Sequence, residues 1–238
     1  MYLKLIIITL LVLNISTDSI NENRSNQWMQ SPEYHLLCKQ IFESAKNRFD
    51  SLDLNNTHSV ILEKSPQENL PLAIITDIDE TILSNYEFQL HTRKNGGKFS
   101  YDSFEEYITK KTAFPIHGSI EYYNYLADKG IKVIYISNRH ISSETKTFEH
   151  LKELGFPIKD KSDLLLKNEK KEWSSDKSSR RAYIAKKYKI IQLFGDSLKD
   201  FTNSKEQLEK NKILFGKSWF ILPNPTYGSW LKTYEGEE

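Results

Sequence analysis

Leu72-Ala73-Ile74-Ile75-Thr76 runs directly into Asp77-Ile78-Asp79-Glu80-Thr81. The first five residues are apolar at successive positions instead of alternate ones, the pattern of a strand covered on both faces. Working outward, similar short runs recur at residues 132–136, 164–166, 190–194 and 219–222. Amphipathic stretches at 119–129, 142–154, 177–188 and 198–210 fall between them and predict helices. Gly130 and Gly155 supply stop signals just before the next strand. Upstream, Tyr34, Leu37, Cys38, Ile41, Phe42, Ala45 and Phe49 recur at helical spacing, so a further helix is expected over 33–52. Strand–helix alternation of this kind predicts an α/β fold, a Rossmann-like parallel sheet with helices on both faces. Residues 86–116 interrupt the alternation, with a helical pattern over 101–111, and are expected to form a small, mostly helical cap inserted after the first strand.

Composition narrows the function classes. Lys and Arg number 33 against 32 Asp and Glu, so no overall attraction to a nucleic acid polymer or an anionic membrane is implied. Cys38 is the single cysteine, which excludes an intramolecular disulfide and a cysteine-based metal cage and leaves it the role of a buried small hydrophobe. At the N-terminus, Lys4 precedes an apolar run from Leu5 to Leu13 and a polar stretch ending at Ser19. That is the layout of a secretory signal peptide, and the run is too short to span a bilayer. Residues 1–19 are therefore expected to be a signal, with residues 20–238 exported to the periplasm or medium without a stable membrane anchor.

In open α/β sheets, ligands bind at the carboxyl ends of the strands. The first predicted strand ends on Asp77 and Asp79, the second on Ser137-Asn138-Arg139, and the fourth on Gly195-Asp196-Ser197-Leu198-Lys199-Asp200. Four acids converging on one edge repel one another unless a hard cation sits among them, and oxygen ligands favour Mg²⁺ over zinc. A phosphoryl group suits such a site. Asp77 could attack phosphorus, Asp79 could act as general acid and base, and Ser137 and Asn138 could hold the phosphoryl oxygens. A cation would come from the basic tract 167–181, which holds Lys167, Lys170, Lys171, Lys177 and Arg180. Most of that tract reads as a solvated helix face, and pattern alone does not choose its catalytic member.

Residues 77–85, Asp-Ile-Asp-Glu-Thr-Ile-Leu-Ser-Asn, resemble the first motif of the haloacid dehalogenase superfamily phosphatases. Ser137-Asn138-Arg139 looks like their second motif and Gly195 to Phe201 like their fourth. Trp219-Phe220-Ile221-Leu222-Pro223-Asn224-Pro225-Thr226-Tyr227-Gly228-Ser229-Trp230 is similar to the C-terminal signature of bacterial class C acid phosphatases, secreted enzymes of the four-aspartate type. The resemblance implies a phosphomonoester hydrolase with Asp77 as nucleophile and Asp79 as acid/base. It further implies Mg²⁺ held by Asp77, the Asp79 carbonyl and Asp196, with Asp200 in support. Lys177 takes the position of the phosphate-binding lysine in preference to Lys167. Small phosphomonoesters, nucleoside monophosphates among them, are the implied substrates. Tyr227 is placed as one wall of an aromatic clamp, with Tyr86 or Phe88 opposite. A homodimer is left open. The rival is a non-catalytic secreted storage or binding protein on the same fold, whose mark would be loss of the nucleophile; Asp77 is present.

Overall fold

The computed structural model describes residues 24–63, 69–94, 96, 99–228 and 230–231; the expected signal at 1–19 lies outside them. In chain order the elements are α1 (Pro32–Asp50), β1 (Leu72–Thr76), β2 (Leu83–Ser84), α2 (Tyr86–Lys94), α3 (Tyr101–Lys110), β3 (Phe114–Pro115), α4 (Ser119–Asp128), β4 (Lys132–His140), α5 (Glu144–Glu153), β5 (Leu164–Lys167), α6 (Ser178–Ala185), β6 (Lys189–Gly195), α7 (Lys205–Asn211) and β7 (Trp219–Ile221). A five-stranded sheet in the order β5-β4-β1-β6-β7 is parallel throughout. The chain leaves β1 toward β4 on one side and reaches β6 on the other, so the carboxyl end of β1 is where a ligand crevice opens.

The unbroken apolar runs have a simple cause. Successive side chains on a strand point to opposite faces, and both faces here are covered. Ile74, Val133, Tyr135, Ile191 and Phe194 share one core with Tyr34, Cys38 and Phe42 of α1, Tyr123 and Leu126 of α4, and Leu151 of α5. Ala73, Ile75, Ile134, Ile136, Ile190 and Leu193 share the other with Ile184 and Ala185 of α6 and with Trp173. Gln192 is the polar exception on β6, and it is satisfied by the Tyr122 hydroxyl and the Ala45 carbonyl. Cys38 is fully buried on α1, where burial pushes its thiol up to about 11. α1 starts cleanly because Ser31 caps it, accepting from the Tyr34 N–H at 3.2 Å, and Pro32 follows at a position that needs no N–H donor.

Two expected boundaries move. β4 does not stop at residue 136 but continues through Ser137, Asn138 and Arg139 to His140, with its register against β5 broken between Ser137 and His140. The helix expected over 198–210 is absent as such. Ser197 and Asp200 form a reciprocal cap around a single 3₁₀ turn, Leu198–Asp200, and α7 begins only after a second cap at Ser204. Residues 86–116 fold as α2, α3 and β3, the last pairing antiparallel with β2. Phe88, Phe99, Phe104 and Tyr107 pack ring against ring between the two helices. Lys111, just past α3, is tied to Glu149 and Glu153 of α5 at 3.1 and 2.5 Å, which pins this unit to the sheet layer.

Candidate active site

The turn after β1 sets up the site. The Ile78 carbonyl accepts from the N–H groups of Ile82 and Leu83 at 2.9 and 3.0 Å, which folds the chain back at once into β2. Ile78 points into the core, fully buried, and Asp77 and Asp79, two residues apart, present their carboxylates to the crevice. Glu80 takes a left-handed conformation at φ 56°, unusual for a residue with a Cβ. Its buried carboxylate holds that turn by accepting from the Asn85 N–H and side-chain amide at 3.0 and 3.1 Å and from the Tyr227 hydroxyl. Burial, then the Asp79 charge, pushes Glu80 up to about 7.

At the end of β6, Gly195 gives way to Asp196 and the capped turn that carries Asp200. A side chain at Gly195 would place its Cβ 2.3 Å from the Asp200 Cβ, so glycine is required for Asp200 to reach the crevice. Carboxylate oxygens of Asp77, Asp196 and Asp200 lie within 4.8 Å of one another. Lys177, at the N-cap of α6, bridges two of them, with Nζ 2.7 Å from Asp77 and 2.5 Å from Asp200. Asp196 accepts from the Asn224 side-chain amide at 2.8 Å. Burial, opposed by Lys177, pushes Asp77 up to about 6; burial and the charges of Asp200 and Asp77 hold Asp196 well above the carboxylate range. An all-oxygen set of three mutually repelling acids, Asp77 and Asp200 buried and Asp196 half-buried, fits a hard divalent cation, which would relieve both the repulsion and the cost of burial. The Asp79 side chain stands outside this group and pairs with Arg139 at 2.8 Å. Burial works to raise the Asp79 carboxyl, but Arg139, with help from Asn85, holds it below the usual range.

The other sequence candidates fall into place unevenly. Ser137 is fully buried beneath the crevice, its hydroxyl 3.4 Å from Asp79. Asn138 lies on the rim, but its amide is committed to Arg180 at 2.6 Å and the Ser175 carbonyl at 3.0 Å. Lys167 points away to Tyr101, at 3.3 Å from its hydroxyl, leaving Lys177 as the lysine on the acids. Tyr227 lines the crevice; Tyr86 and Phe88 do not. α2 turns Phe88 into the aromatic packing beneath it, and Phe99, Tyr101, Phe104 and Ile108 line the same cavity as Tyr227, of about 480 Å³. The expectation of a solvated face on 167–181 fails at Arg180 and Arg181, which are fully buried. Arg180 donates to the Ser137 carbonyl at 2.6 Å, and burial draws its guanidinium down to about 10; Arg181 donates to the Asp200 carbonyl at 3.0 Å and pairs with Glu63.

A carboxylate pair leaving the central strand, a lysine reaching across it and further acids from the neighbouring strand define a hydrolase of phosphomonoesters on a Rossmann-like sheet. The chain belongs to the HAD (haloacid dehalogenase) superfamily, subfamily IIIB, the acid phosphatases, whose family model matches residues 14–230. The class C acid phosphatase of Bacillus anthracis, solved with tungstate bound, is similar at TM-score 0.78 and 27% identity, over 92% of this chain and 90% of that one. Acid phosphatase 1 of Solanum lycopersicum is 25% identical over 205 residues, covering 84% of this chain and 71% of the relative. The stem 28 kDa glycoprotein of Glycine max is 25% identical over 197 residues, covering 79% and 72%.

Proposed function

We propose that this chain is an exported, Mg²⁺-dependent acid phosphatase of the class C type that hydrolyses small phosphomonoesters, nucleoside monophosphates included, through an aspartyl-phosphate on Asp77. The observation that carries the reading is Lys177 bridging Asp77 and Asp200 with Asp196 beside them. Asp77, Asp196 and Asp200, with the Asp79 backbone carbonyl, would hold the cation. When bound, it neutralises charge on the phosphoryl oxygens. An Asp77 carboxylate oxygen attacks phosphorus, the ester P–O bond breaks, and Asp79 gives its proton to the departing oxygen. Water then passes a proton to Asp79 as it attacks the same phosphorus, and the acyl-phosphate P–O bond breaks to free Asp77 and phosphate. Arg139 favours the carboxylate form of Asp79, the form that second half-reaction requires.

Ser137 and Lys177 are assigned the phosphoryl oxygens, and Asn138, with its amide committed elsewhere, shapes the rim. For the leaving group, Tyr227 and the wall of Phe99, Tyr101 and Phe104 offer aromatic faces on which a nucleobase can stack. Export rests on the pattern of residues 1–19; among the described residues no helix is long and apolar enough to cross a membrane. The test is phosphate release by residues 20–238 from nucleoside monophosphates, glycerol phosphate and an aryl phosphate at pH values about 5 and 7, with Mg²⁺ or with EDTA. Release that EDTA abolishes and Mg²⁺ restores is expected. No release from a folded, metal-loaded protein would overturn catalysis in favour of a non-catalytic secreted role.

A further inference from the structure

Arg139 is almost fully buried, at 3% exposure, yet it stands on the crevice wall at the end of β4. Its guanidinium grips both oxygens of Asp79: Nε lies 3.1 Å from Oδ1 and 3.2 Å from Oδ2, and Nη2 lies 2.8 Å from Oδ1. The remaining arm, Nη1, donates to the hydroxyl of Thr147 on α5 at 3.2 Å, and Thr147 is itself fully buried. The guanidinium also lies 5.9 Å from the centre of the Phe104 ring on α3. A planar fork bound at both carboxylate oxygens fixes the plane of the carboxyl as well as its position, which a single hydrogen bond does not. Asn85 at 2.8 Å and Ser137 at 3.4 Å complete the cradle, one on each oxygen.

From this geometry we infer that Arg139 is a positioning residue: anchored by Thr147 behind and Phe104 above, it fixes the place and plane of the Asp79 carboxyl for proton transfer to the leaving-group oxygen, an orienting effect that outweighs its pull toward the carboxylate form. The inference rests on the assignment of Asp79 as acid/base made above. Its consequence is selective. Proton delivery matters for esters whose alkoxide leaves poorly and matters little for 4-nitrophenyl phosphate, whose phenolate departs unprotonated. A side chain that only supports the fold, or only binds phosphate, affects both classes alike.

The experiment compares kcat/KM for glycerol phosphate and 4-nitrophenyl phosphate in the wild type, R139Q, R139K, T147V and D79N, each in the full mature chain with Mg²⁺ and each checked for native circular dichroism. R139Q is expected to lower kcat/KM about 100-fold for glycerol phosphate and less than about five-fold for the aryl ester, within the range of positioned acid–base catalysis. R139K keeps the charge without the fork and is expected to recover part of the loss. Equal losses on the two esters in R139Q overturn the inference. T147V nearly keeps the side-chain shape and removes only the rear anchor. Should R139Q fail to fold, a loss in T147V confined to glycerol phosphate supports the inference, and a loss common to both esters overturns it. D79N separates the two levels. If D79N discriminates between the esters and R139Q does not, Arg139 is not the positioner; if D79N does not discriminate, the acid/base assignment itself falls.

Discussion

On the floor of the crevice, the side chains of Asp77, Lys177 and Asp200 are 11%, 6% and 7% exposed, whereas Phe99 and Tyr101 on the cap-side wall are 55% and 54% exposed. The floor is charged and largely buried, and Lys177 is paired with both Asp77 and Asp200. Removing one member there leaves another charge buried and unpaired, which is costly. The wall is apolar and wet, carried by a unit whose rings pack on one another while Phe88 and Tyr107 join the main core. Changing it alters what can be held beside the reacting ester while the reacting groups stay in place. On the proposed function, the contrast separates chemistry at the sheet edge from selection at the wall of residues 99–108.

The largest effect is expected from Asp77→Asn, which keeps the shape of the floor and removes the proposed nucleophile. A fall in kcat of at least about 1,000-fold is expected, with circular dichroism unchanged. Wild-type turnover in a folded mutant would break the contrast at its strongest point. Next comes Gly195→Ala, a single methyl group. Because its Cβ would meet Asp200 backed by Lys177, the turn must shift, and Mg²⁺ affinity is expected to weaken about 10- to 100-fold by calorimetric titration. An unchanged titration would show that Asp200 does not help hold the cation.

How much of this was legible in the sequence follows the same division. The sheet could be read because its signal is local: a run such as Ile190–Phe194 declares a strand covered on both faces without reference to the rest of the chain. The strand-end acids followed, since strand ends share one edge. The stretch after Asp196 misled because helical spacing continues through 198–210, while the Ser197–Asp200 cap, a local feature of the same letters, closes the turn and spends Asp200 on the site. Arg180 and Arg181 looked like solvated charges because their partners, Ser137 and Glu63, stand 43 and 118 residues away. Tyr86 was placed opposite Tyr227 on sequence proximity to the first motif alone. Only the fold of α2 and α3 decides that Phe88 turns inward and that Phe99, Tyr101 and Phe104 face the cavity.

A sharper view of the wall comes from Tyr101→Ala. The residue is exposed, so stability is expected to change by less than about 0.5 kcal/mol. KM for a nucleoside monophosphate is expected to rise about five- to 50-fold, the scale of one base–aromatic stack, with glycerol phosphate unaffected. Parallel increases for both substrates would move Tyr101 from selection to the general shape of the crevice.

The last expected effect lies where floor and wall share a support. α5 carries Thr147 behind Arg139, Glu149 and Glu153 under Lys111, and between them His150, which is 3% exposed with Nε2 lacking a partner. Burial, then the Arg139 charge, draws His150 from 6.5 down to about 4. The unfolded chain therefore takes up this proton near pH 6.5, whereas the folded chain resists it until about pH 4. Between those values acid favours unfolding, so stability falls as pH drops through the window, by at most about 1.4 kcal/mol per pH unit from this one group. Below the folded value the loss is complete and the slope from His150 vanishes. His150→Asn keeps a short polar group and removes the titration, so urea unfolding at pH values about 7 and 5 should show a smaller acid loss in the variant. Equal acid losses would place the sensitivity elsewhere, and not in Asp77 or Asp196, whose raised carboxyls favour the folded chain as pH falls. A smaller loss in the variant would show that the joint between floor and wall limits how acid a medium the fold tolerates.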